Sequence, residues 1–148
     1  MIVLDANLLL YAYDSHSDKH EQARKWVEQA FSEEAVVGLP WQTIAAFIRI
    51  VTNPRIPGRR FSLEEAVQVV DEWMDLPNVK LLAPGDQHWN IFRKLLIAGQ
   101  ARGPLAADAQ LAALTMEYGG VLHTTDLDFG RFAGLRWMNP VETGEQGA

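Results

Sequence analysis

Short apolar runs alternate with longer stretches of helical periodicity along this chain of 148 residues. The short runs are bounded by polar or turn-forming residues and predict five strands, at residues 2–4, 35–39, 79–82, 121–124 and 135–138. Helical spacing of apolar residues predicts helices at residues 18–32, 43–53, 62–74, 86–96 and 104–118, with a shorter one beginning near residue 7. Parallel strands need crossovers, which are usually helices. The alternation therefore predicts an α/β fold with three layers, α/β/α, around a mainly parallel central sheet.

The pattern predicts one domain, because the chain shows no internal repeat and no linker. We expect that domain to span residues 1–140 and the Gly-rich residues 141–148 to form a flexible C-terminal tail. No apolar stretch approaches the roughly 20 residues of a membrane span. The N-terminus has no basic leader of the kind that begins a secretory signal. We therefore expect no membrane association and a cytoplasmic location.

Composition narrows the chemistry. The chain has no cysteine, which removes disulfides, thiolate nucleophiles and cysteine–zinc sites and leaves oxygen and nitrogen groups. Its formal net charge is -6. Nucleic-acid-binding proteins usually carry a basic surplus, so this charge argues against such a partner. A divalent cation held by carboxylates reverses the sign locally, however, so the net charge alone decides neither way.

Four aspartates lie at corresponding ends of the predicted elements. Asp5 follows the first strand directly, and Asp126 and Asp128 follow the fourth. Asp108 lies in the first turns of the helix that leads into the fourth strand. Ligands of an open parallel sheet bind beyond the carboxyl ends of its strands, and a helix that leads into a strand runs antiparallel to it. We therefore expect all four carboxylates at one edge of the sheet.

Each of these acids also has a structural explanation. Asp5 is placed to cap the short helix that follows it, and Asp126 and Asp128 suit a turn. Asp108 is harder to explain in this way, because the surrounding residues 105–114 are almost entirely apolar. An unpaired buried carboxylate costs several kcal/mol, and a helix N-terminus offsets less than about 1 kcal/mol of that. We expect a metal ion or an arginine to compensate the rest.

Converging carboxylates without cysteine suit a hard, oxygen-preferring cation such as Mg²⁺ or Mn²⁺. Such an ion lowers the pKa of bound water and neutralises charge that develops on a phosphate. The residues therefore predict metal-assisted phosphoryl chemistry, with small phosphate esters as an alternative substrate class to nucleic acid. No Gly-x-Ser-x-Gly motif is present, so a Ser–His–Asp hydrolase is not expected.

Three segments, in this order, resemble the motifs of PIN-domain nucleases: residues 3–9, 108–114 and 124–129. Four others are similar to VapC-type toxins of type II toxin–antitoxin systems, in the branch abundant in mycobacteria and other actinobacteria. They are residues 39–41, 47–49, 52–55 and 135–140. The resemblance runs from Met1 to about Pro140. Short Asp-containing strings are common, so it is the set of motifs in order, at fitting separations, that indicates the family.

The resemblance implies a metal-dependent endoribonuclease that cleaves specific cellular RNA by attack of a metal-activated water. The catalytic acids it implies are Asp5, Asp108, Asp126 and Asp128, and the Mg²⁺ or Mn²⁺ ligands among them are Asp5, Asp108 and Asp126.

Further residues and partners follow from the same resemblance. Asn7 and Thr125 match polar positions of the family motifs and are expected to orient ligands or water. Arg49 and Arg55 are candidates for contacts with RNA or with a protein partner. The resemblance also implies a homodimer, neutralised by a small VapB-type antitoxin whose C-terminal segment occupies the active site.

The chain departs from the family pattern at Ala46, where many PIN domains have a glutamate three residues before the position of Arg49. We expect, in consequence, one firmly held metal ion, with a second bound only in the presence of substrate. The departure also supports an alternative, a catalytically weakened PIN-fold module that binds RNA or regulates.

Other side chains have more than one interpretation. His16 and His20 are spaced like zinc ligands on a helix face, but no third ligand is evident. The basic loop at residues 53–60 suits either a solvated connector or an RNA contact. Three tryptophans have three possible roles each: packing in the core, contact at an interface, or stacking on bases. They are Trp41, Trp89 and Trp137.

Overall fold

The computed structural model describes residues 1–56 and 61–141. The strands, in chain order, are β1 (Ile2–Leu4), β2 (Val37–Pro40), β3 (Val79–Leu82), β4 (Val121–His123) and β5 (Trp137–Met138). They form one sheet in the order β3-β2-β1-β4-β5, and every neighbouring pair is parallel. The predicted α/β fold with a mainly parallel sheet is confirmed.

Helices connect the strands and cover both faces of the sheet. They are α1 (Ala6–Tyr13), α2 (His20–Ser32), α3 (Trp41–Val51), α4 (Leu63–Met74), α5 (His88–Ala98) and α6 (Leu105–Glu117), and a 3₁₀ helix spans Leu127–Arg131. Their ends differ from the predicted ones by at most two residues. The capping box predicted for α4 is present: the Ser62 hydroxyl accepts the Glu65 N–H at 3.1 Å, and the Glu65 carboxylate accepts the Ser62 N–H at 3.0 Å.

Alternate residues of the strands face opposite helical layers. Leu4 and Leu39 pack into a core that α1, α2, α3 and α4 complete. Val3 and Leu122 pack into a second core with α5 and α6. As its apolar sequence predicts, α6 is buried on most faces, through Ala109, Leu111, Ala112, Ala113, Leu114 and Thr115.

The order of the strands reverses between β1 and β4. From β1 the chain proceeds to β2 and β3 on one side, and from β4 to β5 on the other. Such a switch point opens a crevice at the carboxyl ends of the two central strands. The backbone N–H of Asp5 donates to the His123 carbonyl at 3.1 Å, which joins these two strand ends.

The described chain ends inside the core. Val141, the first residue of the predicted tail, is buried against the layer of α1 to α4. The remaining tail residues, 142–148, and residues 57–60 of the basic loop lie outside the described residues. Within the described ranges, no helix is long and apolar enough to cross a bilayer.

Candidate active site

Asp5 lies at the carboxyl end of β1 and is also the N-cap of α1. Its Oδ1 accepts the Ala6 N–H at 2.7 Å. Its Oδ2 accepts the Thr124 hydroxyl at 2.8 Å and the Asn7 side-chain amide at 3.2 Å. Burial raises the pKa of Asp5 against these hydrogen bonds, and the negative charge of Asp126 acts in the same direction as burial. Asp5 is therefore both a helix cap and a member of an acidic group.

The Thr124 hydroxyl is the centre of the hydrogen-bond network at the switch point. Its side chain is fully buried. The hydroxyl donates to Asp5, and its oxygen accepts the Asp126 N–H at 3.0 Å and the Asn7 amide at 3.1 Å. Asn7 in turn accepts the Thr125 N–H at 3.3 Å. One hydroxyl thus fixes the segments of two acids relative to each other.

The acidic turn after β4 continues into the 3₁₀ helix. Asp126 caps that helix, and its Oδ1 accepts the Asp128 N–H at 2.8 Å. The structural explanation of Asp126 as a turn residue is therefore correct, but it leaves a closer grouping unexplained. Asp108, Asp126 and Asp128 each offer one carboxylate oxygen, and these oxygens lie within 4.8 Å of one another.

Asp108 lies in the first turn of α6 and is half-buried. The pKa of Asp108 is raised to about 6, first by burial and then by the negative charges of Asp126, Asp5 and Asp128. Arg131 acts in the opposite direction, and it is the weakest of these influences. Among the described residues, Arg131 therefore lowers the pKa of Asp108 by less than burial and the neighbouring acids raise it.

Arg131 is the cation nearest in sequence to the acidic turn. It is the last residue of the 3₁₀ helix, it is exposed, and its guanidinium donates to the Gly99 carbonyl at 3.1 Å. Gly99 lies in the connection between α5 and α6. Arg131 therefore joins the acidic turn to the segment that leads into the helix of Asp108.

The first turn of α3 adjoins the site on another side. The Thr43 hydroxyl donates to the Leu4 carbonyl at 2.8 Å, and the Gln42 amide donates to the Ala107 carbonyl at 3.2 Å. These carbonyls immediately precede two of the acids along the chain. Ala46 follows one turn after this point on the same helix face, and it adds no carboxylate there.

The predicted acids and Asn7 meet at one edge of the sheet. Arg49 and Arg55 are exposed, and neither forms an ion pair within residues 1–56 and 61–141. Thr125 takes part in the network through its backbone N–H, which donates to the Asn7 side chain.

Two residues of the site were missed from the sequence, Thr124 and Arg131. Thr124 differs from the predicted Thr125 by one position, and successive residues of an extended chain point in opposite directions, so strand parity would have been the signal. For Arg131 the signal was a cation three residues after Asp128. The zinc interpretation finds no support, since the group of possible metal ligands found among the described residues is Asp108, Asp126 and Asp128 and includes neither His16 nor His20.

Comparison with known proteins gives the family. The model of the PIN domain matches residues 2–135. The chain is 36% identical over 141 residues to Ribonuclease VapC33 of Mycobacterium tuberculosis, across 95% of this chain and 99% of that protein. The chain belongs to the VapC-type PIN-domain family. A VapC relative from Mycobacterium bovis, VapC ribonuclease Mb2897, is also 36% identical, over 142 residues that cover 96% of this chain and 97% of the relative.

Solved structures of VapC-type proteins share this fold. A chain of VapBC2 from Rickettsia felis, bound to a DNA fragment from its promoter, has a TM-score of 0.69 at 15% identity, covering 94% of this chain and 98% of that chain. VapC20 of Mycobacterium tuberculosis, a toxin that cleaves the sarcin-ricin loop, has a TM-score of 0.63 at 15% identity. The match covers 92% of this chain and 99% of the VapC20 chain. The predicted resemblance to VapC-type PIN proteins, and their three-layer architecture, are confirmed.

Proposed function

We propose that this VapC-type chain is a divalent-metal-dependent endoribonuclease, the toxin of a toxin–antitoxin pair. The observation that carries the proposal is the grouping of the Asp108, Asp126 and Asp128 carboxylates within 4.8 Å, beside Asp5 at the switch point of the sheet. Membership of a family whose relatives include ribonucleases supports the substrate class.

The donor set suits a hard cation. Three carboxylates converge without a nitrogen or sulfur donor, and such oxygen groups are the ligands that Mg²⁺ and Mn²⁺ prefer. Mutual repulsion helps raise the pKa of Asp108 to about 6, and a bound cation would relieve it. We propose Asp108, Asp126 and Asp128 as the group that holds the ion. Asp5 remains a proposed ligand, although both of its oxygens already accept hydrogen bonds.

The reaction divides between the cation and the chain. A divalent cation held by Asp108, Asp126 and Asp128 would supply the activation of a water molecule and the neutralisation of charge on the phosphate. Thr124 and Asn7 hold Asp5 in a fixed orientation through their hydrogen bonds. Arg131 lies next to the carboxylates as an exposed cation and is proposed to bind a phosphate oxygen of the substrate. Attack by water gives a 5′-phosphate and a 3′-hydroxyl, so a 2′,3′-cyclic phosphate product would contradict this mechanism.

The number of metal ions is a separate part of the proposal. Because Ala46 replaces the acid that many PIN domains have on α3, we propose one firm site and a second that requires substrate. Titration calorimetry with Mn²⁺ in the absence of RNA is expected to give one tight site. Two tight sites would overturn this part and leave the ribonuclease proposal standing.

The proposed partners follow the solved relatives. Structures of VapBC from Rickettsia felis and Haemophilus influenzae contain a toxin together with its antitoxin. We propose that this chain binds a VapB-type antitoxin, forms a homodimer and acts in the cytoplasm, where its RNA substrate is found.

Expression in a bacterium tests the whole proposal. We expect growth arrest, relief by co-expression of the cognate antitoxin, and loss of arrest in Asp5→Ala. Sequencing the 5′ ends of cellular RNA should then reveal discrete new ends that carry phosphate. Arrest that persists in Asp5→Ala without new RNA ends would favour the catalytically weakened binding module, which the alanine at position 46 supports.

A further inference from the structure

The outer face of α3 carries a tryptophan and an arginine for which the described part of the chain shows no ring contact and no ion pair. Trp41 is 49% exposed, and no aromatic ring of the described residues packs against it. Ala45 and Arg49 are also exposed and follow at intervals of four residues. Residues at this spacing share one side of a helix. We call this surface, formed by Trp41, Ala45 and Arg49, the α3 face.

The α3 face begins beside the acidic group. The two residues that follow Trp41 bond to the backbone immediately before two of the acids: Gln42 to the Ala107 carbonyl and Thr43 to the Leu4 carbonyl. The first turn of α3 is therefore held against both acid-bearing segments. From there the face extends along the helix for about 12 Å, the rise of eight residues, to Arg49.

Its chemistry suits single-stranded RNA. An exposed aromatic ring offers a surface for a base regardless of its identity, and an arginine offers a partner for phosphate. The protein has a net charge of -6, and within the described residues no carboxylate pairs with Arg49, so its guanidinium is available to a phosphate. A strand whose phosphate reaches the acidic group has its next nucleotides within reach of this face.

We propose that the α3 face is a binding track for single-stranded RNA, in which the Trp41 ring stacks on a base next to the scissile phosphate and Arg49 binds a phosphate further along the strand. This inference rests on the proposed function, because it assigns the substrate of the same site. It makes Trp41 a binding residue that acts without sequence specificity, through the face of the base.

The molecule contains a matched control. Trp89 is 64% exposed and lies on α5 with exposed Arg93 four residues later. The α5 end that carries Trp89 lies beside Glu117, at the opposite end of α6 from Asp108. The two surfaces therefore resemble each other in composition and differ in their distance from the acidic group.

The test measures binding of a short fluorescein-labelled single-stranded RNA by anisotropy, with Mg²⁺, in full-length protein carrying Asp108→Asn to prevent cleavage. Trp41→Leu should weaken binding roughly 5- to 150-fold, the scale of losing one stacked base. Trp41→Phe should retain most of the affinity, and Trp89→Leu should leave it unchanged. Arg49→Gln should reduce the slope of log K against log salt by about 0.7, whereas Arg93→Gln should not.

The possible results distinguish failure of the RNA track from failure of the proposed ribonuclease function. Absence of RNA binding by the Asp108→Asn parent and also by the wild type with Mg²⁺, read before cleavage, would overturn both this inference and the proposed function. Binding that is equal in the parent, Trp41→Leu and Trp89→Leu would overturn the inference alone. A Trp41→Leu protein that binds RNA normally but loses its homodimer or its antitoxin, by sedimentation, would assign the α3 face to a protein partner and also overturn it.

Discussion

Helix α6 carries a carboxylate near each end, and the surroundings of the two carboxylates have opposite electrostatic character. At the C-terminal end, the Glu117 side chain is 13% exposed and accepts two backbone N–H groups, from Gly85 and Gln87, each at 3.0 Å. The His88 ring lies 3.7 Å away. At the N-terminal end, Asp108 is half-buried among other carboxylates, and the positive charge of Arg131 lowers its pKa only weakly.

The difference distinguishes a structural carboxylate from one held ready for a ligand. Glu117 satisfies the free N–H groups at the beginning of α5, a role that folding alone explains. Burial, and then the negative charges around Asp108, raise its pKa and so oppose its ionisation, which folding alone does not explain. The proposed cation would remove this conflict. Variants at the Asp108 end of α6 should therefore affect chemistry, and variants at the Glu117 end should affect stability.

The largest effect is expected from Asp108→Asn. Removal of this carboxylate should slow RNA cleavage by at least roughly a hundredfold, the scale of losing one electrostatic contributor to a transition state. Glu117→Gln, at the other end of the helix, should cleave at close to the wild-type rate under conditions where both proteins are folded. Rates from a fluorogenic RNA substrate at saturating Mn²⁺ give the comparison. An equal loss in both variants would remove the distinction between the ends.

Thr124→Val should have the next largest effect, because it removes the hydroxyl that joins Asp5, Asn7 and the Asp126 backbone. Loss of a partner that orients metal-site acids typically costs about 10- to 100-fold in activity or metal affinity. Thr115→Val is the control, since the buried Thr115 hydroxyl only bonds the Leu111 carbonyl within α6. Measured on both variants, cleavage should be slower and Mn²⁺ affinity lower in Thr124→Val than in Thr115→Val. Similar values would show that the Thr124 network is structural.

A loss of stability without loss of chemistry is expected at the Glu117 end. A β-carbon at Gly85 would lie 2.7 Å from Glu117 Oε2, so Gly85→Ala must displace the cap. We expect a cost of about 1–3 kcal/mol in the free energy of unfolding. Gly130→Ala is the control, because its β-carbon would meet its nearest neighbour at an ordinary 3.5 Å. Urea unfolding measures both, and equal midpoints would show that the cap contributes little.

The smallest effect concerns pH in the absence of metal. Asp108 has a pKa of about 6 in the folded chain and near 3.9 when unfolded, so the folded state binds more protons between these values. Stability should therefore fall as pH rises through this window and stay lower above pH 6. Asp108→Asn should be more stable than wild type at pH 7.5 in EDTA, by about 1 kcal/mol or less because the group is half-exposed. A clear drop in the melting temperature of the variant would mean that Asp108 is paired structurally.

The sequence was sufficient for the fold and for the edge at which the acids meet. Ser62 and Glu65 act within one helical turn, so the start of α4 follows from local residues alone. The position of Asp108 beside the strand-end acids followed from the direction of α6 relative to β4. The first inference depends on a local pattern of residues, and the second on the antiparallel course of a helix that leads directly into the next strand.

What the sequence left open depends on side-chain direction and on distant contacts. The role of Thr125 stays a prediction. The Thr124 hydroxyl was missed because the parity that turns it toward Asp5 can be used only once the end of β4 is known. The Glu117 cap joins residues 30 and 32 positions apart, and no local pattern marks it. Arg49 stays a candidate for contact with RNA or with a protein partner, because its exposure on α3 is compatible with either.

Direct measurement of Mn²⁺ binding tests the central claim, that the carboxylates at the sheet edge form a cation site. Electron paramagnetic resonance of free Mn²⁺ in titrations of the wild type, Asp108→Asn and Glu117→Gln gives the affinity of each protein without any RNA. We predict a Mn²⁺ site in the wild type, the same site in Glu117→Gln and a marked loss in Asp108→Asn. Equal Mn²⁺ affinity in all three proteins would contradict the account.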